Sequence, residues 1–84
     1  MGYHINQIQL GIYGEFSKIK EEFQELEDGV QQNARILQLV ELSDLYGAIE
    51  GFLEKEFNMT MWDLKTMSDM TKSAFKEGDR CPKK

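Results

Sequence analysis

A single cysteine, Cys81, stands in the whole sequence, so no disulfide can close within the chain, an arrangement suited to a reducing compartment. Proline is equally scarce. The one residue, Pro82, lies beyond the last expected helix and leaves long helices unbroken before it. Basic charge is also in deficit, with 10 Lys and Arg against 15 Asp and Glu, a net charge of −5 and a pI near 4.8. A nucleic-acid polymer is therefore not an expected partner, because sequence-blind binding needs a basic footprint that displaces counterions. Apolar runs are short, and none approaches the ~18–20 residues of a membrane span. The opening MGYHINQIQL has neither a basic region nor an apolar core, so no signal peptide is expected and the chain reads as soluble and cytoplasmic. Asn58-Met-Thr60 matches a glycosylation sequon by chance on this reading.

What the sequence does contain is helical periodicity. Strict apolar–polar alternation is missing, which argues against strands. Ile12, Phe16, Ile19, Phe23, Leu26 and Val30 form one continuous apolar stripe at spacings of three and four. Ile5 and Ile8 extend it backwards, with Gly11 and Gly14 as places where the helix can bend or stop. Asp28-Gly29 reads as a break. A second helix is expected from about Gln31 to Phe57, with Leu42, Leu45, Ile49 and Phe52 as its seam. A third should start at Thr60, capped with Asp63, carry Trp62, Met67, Met70, Ala74 and Phe75, and end near Gly78. The expected fold is a single all-α domain over residues 1–80, followed by a mobile tail at 81–84. A chain this short buries only about 60–65% of its unfolded surface. Three helices of this kind are expected to be completed into a larger bundle by a second copy. The methionines Met59, Met61, Met67 and Met70 are suited to fill such an interface.

Acids dominate one short stretch, KIKEEFQELED at 18–28. Like charges one turn apart repel by roughly 0.2–0.5 kcal/mol per pair, so they must either face water or surround a cation. A helix advances about 100° per residue, which places Glu22 at the border of the first stripe, Glu25 about 60° further out, and Glu21 facing away. Glu21, Glu27 and Asp28 are accordingly read as solvated. On the second helix Glu41 falls inside the apolar face, among Ala34, Leu37, Leu45, Ala48 and Phe52, with Asp44 about 60° away at its edge. A desolvated carboxylate is costly unless it is paired or bound to metal. If the helices pack as an antiparallel hairpin, Glu22-x-x-Glu25 can face Glu41-x-x-Asp44. Four oxygen donors of this kind suit a hard divalent cation, Mg²⁺ or Mn²⁺. Zinc is disfavoured, since no second histidine or cysteine accompanies His4, to which no role is given. Gly47, one turn after Asp44, either permits close helix approach, as does Gly51, or leaves room for a ligand.

At these residues the sequence resembles the MazG-like, all-α nucleoside triphosphate pyrophosphohydrolases, whose signature is E-E-x-x-E followed after a spacer by E-x-x-D. Here the pattern is EEFQE at 21–25 and ELSD at 41–44, fifteen residues apart. The stretch TKSAFKEGDR at 71–80 resembles the C-terminal segment in which that family uses a lysine and an arginine on phosphates, matching Lys72 and Arg80; an asparagine between them is not evident. The resemblance implies a Mg²⁺-dependent hydrolase of nucleotide metabolism. It would cleave an NTP or dNTP between the α and β phosphates, giving the monophosphate and pyrophosphate. It also implies Glu22, Glu25, Glu41 and Asp44 as metal ligands and catalytic residues, and a homodimer or homotetramer to complete the pocket. Lys18 either pairs with Glu22 or reaches a phosphate. Trp62, Phe75, Tyr46 and Tyr13 can stack on a base, although aromatics at helical spacing more often fill cores. Two other readings remain open. The chain can be a non-catalytic acidic helical adaptor that binds through its Met-rich third helix, or a degenerate family member that holds nucleotide without turnover.

Overall fold

The computed structural model describes residues 4–77, with backbone alone for the last three of them. Three helices, α1 (Phe16–Gln31), α2 (Arg35–Phe57) and α3 (Met61–Glu77), follow one another, and no strand occurs among the described residues. The all-α expectation holds. None of these helices is long and apolar enough to cross a membrane. Arg80, Cys81 and the expected end near Gly78 lie outside the described residues.

Local chemistry sets the boundaries. Ile5 and Ile8 do not extend α1, because residues 4–15 form a non-helical strap. The strap passes so close to the start of α1 that a Cβ on Gly11 would collide with the Ser17 carbonyl. Nor does α1 break at Asp28-Gly29. It continues to Gln31, and Asn33, with φ of 56°, turns the chain. The Asn33 N–H bonds to Val30 O at 2.9 Å and the Ala34 N–H to Gly29 O at 3.0 Å, the paired closure of a Schellman turn. Gly29 itself is buried against Leu37 and Gln38 at the start of α2. Asn58, with φ of 54°, ends α2 in the same left-handed conformation. The Thr60 cap is present: Asp63 N–H bonds to Thr60 Oγ1 at 3.2 Å, and Thr60 N–H returns to Asp63 Oδ2 at 3.0 Å.

α1 and α2 form the expected antiparallel hairpin. Phe16 meets Phe52 edge-on at 6.2 Å near one end, and Gly29 meets Leu37 at the other. The buried face is a surprise. The residues of α1 that disappear from solvent are Glu21, Glu22, Asp28 and Gly29, whereas Phe16 and Phe23 of the apolar stripe stay 62% and 53% exposed. Most of the stripe faces outward, and Glu21, Glu22 and Asp28 face inward. On α2, Ala48 and Leu53 are the buried apolar residues, and Leu42 of the expected seam is exposed. α3 packs only sparsely on the hairpin and leaves Trp62, Met67 and Met70 uncovered. The three helices do not close into a bundle within one chain.

Candidate metal centre

The hairpin register brings Glu22 and Glu25 of α1 against Glu41 and Asp44 of α2. Each supplies an oxygen, and the four oxygens all lie within 4.8 Å of one another. Glu22 and Glu41 are only 5% and 4% exposed, Glu25 is half-buried, and Asp44 stands at the open rim. Oε1 of Glu22 and Oε1 of Glu41 are both buried and have no hydrogen-bond partner. Two orphaned carboxylate oxygens in one cluster are costly without a proton or cation between them. An all-oxygen donor set of this size fits a hard divalent cation. Burial, the hydrogen bond shared with Glu41 and the charge of Glu22 push the Glu25 carboxyl up to about 8. The centre therefore keeps a proton near neutral pH, and a cation can take its place.

The other acids are arranged around this cluster. Glu21, expected to be solvated, is buried; its Oε1 accepts the Gly11 N–H at 2.8 Å and a Lys18 Nζ hydrogen at 3.0 Å. Burial pushes the Glu21 carboxyl up, but these two donors outweigh it and hold it below its ordinary value. Lys18 also lies 3.1 Å from Glu22 Oε2, so it bridges the two glutamates, and the Glu21 bond is the main cause that raises its own pKa. The structure shows the ion-pair role for Lys18.

Asp28, likewise expected in water, is 1% exposed. The strap reaches it and explains the error. Asp28 Oδ2 accepts the Ile5 N–H at 3.0 Å, a Gln32 Nε2 hydrogen at 2.9 Å and His4 Nδ1–H at 2.9 Å, and Asn6 Nδ2 bonds to Oδ1. Burial works against the charge of Asp28, but those donors prevail and keep its carboxyl below the ordinary range. His4, given no role from sequence, turns its Nε2 to within 3.1 Å of Glu41 Oε2 and 3.9 Å of Glu25 Oε1. No helical periodicity could reveal this, because His4 belongs to a segment without periodicity. Glu27 alone of the three is exposed as expected.

Beside the carboxylates lies an open groove of about 600 Å³, walled on its apolar side by Ile36, Leu37 and Val40. Lys72 is exposed on α3, where its charge acts on Asp69, and it forms no ion pair with the four-carboxylate cluster. Gly47 has nothing within 4 Å of where a Cβ would stand, so close helix approach does not explain it; Gly51 does make a close approach, to the Tyr13 ring. Tyr13, Tyr46 and Trp62 are exposed rather than core. Compared with family models, curated proteins and solved structures, the chain finds no match in any of the three.

Proposed function

We propose that the chain is a Mg²⁺-dependent nucleoside triphosphate pyrophosphohydrolase of the MazG-like kind, working as a homo-oligomer. The observation that carries this reading is the convergence of Glu22, Glu25, Glu41 and Asp44, with buried oxygens of Glu22 and Glu41 left unpartnered. Mg²⁺, or Mn²⁺ in its place, would polarise phosphoryl oxygens and make an attacking water more acidic. Glu22, Glu25, Glu41 and Asp44 would hold the cation, with Glu25 giving up its proton to do so and Asp44 at the open rim of the site. The Ile36–Val40 wall of the groove offers an apolar surface to the base. A carboxylate of the cluster takes a proton from water as the water oxygen bonds to the α phosphorus. The bond from that phosphorus to the bridging oxygen breaks, and pyrophosphate leaves with both electrons. Lys72 and Arg80 are assigned to the phosphates, and Lys18 joins them only if it is released from Glu21 and Glu22.

The test is a panel of NTPs and dNTPs incubated with Mg²⁺ and followed by phosphorus NMR, beside a Glu41→Gln control. Monophosphate plus pyrophosphate, lost in the control, is the expected result. Orthophosphate plus diphosphate would indicate a different hydrolase. Mg²⁺-dependent stabilisation without product supports the nucleotide-holding reading, and neither stabilisation nor product leaves the acidic adaptor.

A further inference from the structure

The strap supplies something that the four-carboxylate cluster does not need in order to hold Mg²⁺: a nitrogen. We propose that His4 Nε2 is a ligand in a second divalent-cation position, which shares Glu25 and Glu41 with the all-oxygen position and takes transition metals such as Mn²⁺ or Co²⁺. The proposal rests on the metal-centre reading above and extends it from one ion to an adjacent pair.

Three observations carry it. The first is spacing. His4 Nε2 stands 3.1 Å from Glu41 Oε2 and 3.9 Å from Glu25 Oε1, and the donor atoms of all three residues fall within 4.8 Å. Two ligands held about 2.1 Å from one ion, at the angles of tetrahedral or octahedral geometry, are about 3.0–3.4 Å apart. The His4–Glu41 distance already fits, and the His4–Glu25 distance must contract.

The second is orientation. Asp28 Oδ2 already accepts the Ile5 N–H and a Gln32 hydrogen, so it is an acceptor and the Nδ1 facing it at 2.9 Å carries the hydrogen. In a neutral imidazole Nε2 is then a lone pair aimed at a carboxylate oxygen. Two acceptors face each other at 3.1 Å when a proton or a cation stands between them. Asp28–His4–cation is also the arrangement by which an outer carboxylate fixes the tautomer of a metal-binding histidine.

The third is the unpartnered oxygen. Glu41 spends Oε2 on His4 and keeps Oε1 buried without a partner, so one carboxylate has an oxygen for each of two ions. A nitrogen in the donor set favours Mn²⁺ and Co²⁺ over Mg²⁺, which prefers oxygen and water.

His4 is the chain's only histidine, which makes the test direct. Tag-free protein loaded with Mn²⁺ is examined by pulsed electron paramagnetic resonance for hyperfine coupling to imidazole nitrogen, and Mn²⁺ and Mg²⁺ are titrated separately by calorimetry. Imidazole coupling in the wild-type protein, lost in His4→Gln, is the expected result. Alongside it, His4→Gln should lose one of two bound Mn²⁺ ions and keep its Mg²⁺ isotherm. Asp28→Asn should weaken the same Mn²⁺ ion about 10–100-fold. Mn²⁺ bound without nitrogen coupling in the wild-type protein overturns the His4 assignment while leaving the four-carboxylate centre intact. Failure to bind either ion overturns both. Because the decisive spectrum is taken on the wild-type chain, a variant that folds poorly does not blunt it.

Discussion

His4 Nδ1 lies 2.9 Å from Asp28 Oδ2, a bond that fastens the strap across the last turns of α1. Asp28 thereby anchors four donors from two segments: His4, Ile5 and Asn6 of the strap, and Gln32 at the end of α1. Asp28→Ala removes the acceptor from all four while they remain part-buried, so the strap should detach. The denaturation midpoint should fall well below that of Glu27→Ala, where an exposed acid is lost and surface substitutions usually change little. Urea melts of the two variants decide this, and equal midpoints would remove the strap from the account of the site.

The pH dependence of the metal-free protein follows from Glu25. Its carboxyl is raised from an ordinary 4.5 to about 8, so between those values the folded chain binds a proton that the unfolded chain has released. That contribution to stability is full below about 4.5 and is lost as pH rises through about 8. Asp28 and Glu21 act in the opposite sense. Their carboxyls are lowered, so their contribution is present above their ordinary values of 3.8 and 4.5 and is lost as pH falls through the folded values. Melting curves in EDTA should decline on both sides of a weakly acidic maximum. With Mg²⁺ present, the decline on the alkaline side should vanish, because the cation replaces the proton. An EDTA profile that stays flat from pH 5 to 9 would contradict the Glu25 assignment.

Glu41→Gln separates the carboxylate's structural cost from its metal-binding use. The amide matches the carboxylate in shape and takes one negative charge out of a cluster where Glu22 and Glu25 repel it. The metal-free variant should melt higher than the wild-type protein. Mg²⁺ at about a hundred times its Kd should stabilise the wild type by about 2.7 kcal/mol and leave the variant unmoved. A variant that melts lower in EDTA would mean that the His4 contact to Glu41 outweighs the repulsion among the carboxylates.

These sites show where sequence patterns carry information. The two i, i+3 acid pairs were legible, because helical geometry and a short connection leave few ways for α1 and α2 to face each other. The Thr60–Asp63 cap was legible too, being a local motif. The end of α1 was misplaced by three residues because Gly29 suggested a break, while Asn33 took the left-handed turn that glycine more often takes. A wheel centred on the apolar stripe places Asp28 and Glu21 in solvent. That stripe includes Phe16 and Phe23, which the hairpin leaves exposed, and the acids are covered by a strap with no period to read.

The outward stripe leads to a prediction about assembly. Phe16, Ile19 and Phe23 of α1, with Leu45 and Ile49 of α2, line an open, largely apolar groove of about 480 Å³ that Lys20 borders. Apolar side chains exposed in this density mark an interaction surface. A second copy fits the proposal best, since the same stripe on its own α1 would be buried at the same time, as two-fold symmetry requires. Phe23→Lys places a charge in the middle of that contact while leaving the carboxylates of the metal centre in place. Sedimentation equilibrium should find a dimer or larger assembly for the wild-type chain and a shift toward monomer for Phe23→Lys. Stability of the wild type should rise with protein concentration, whereas that of the variant should not. A wild-type chain that stays monomeric and cooperatively folded at high concentration would show that the stripe needs no second copy.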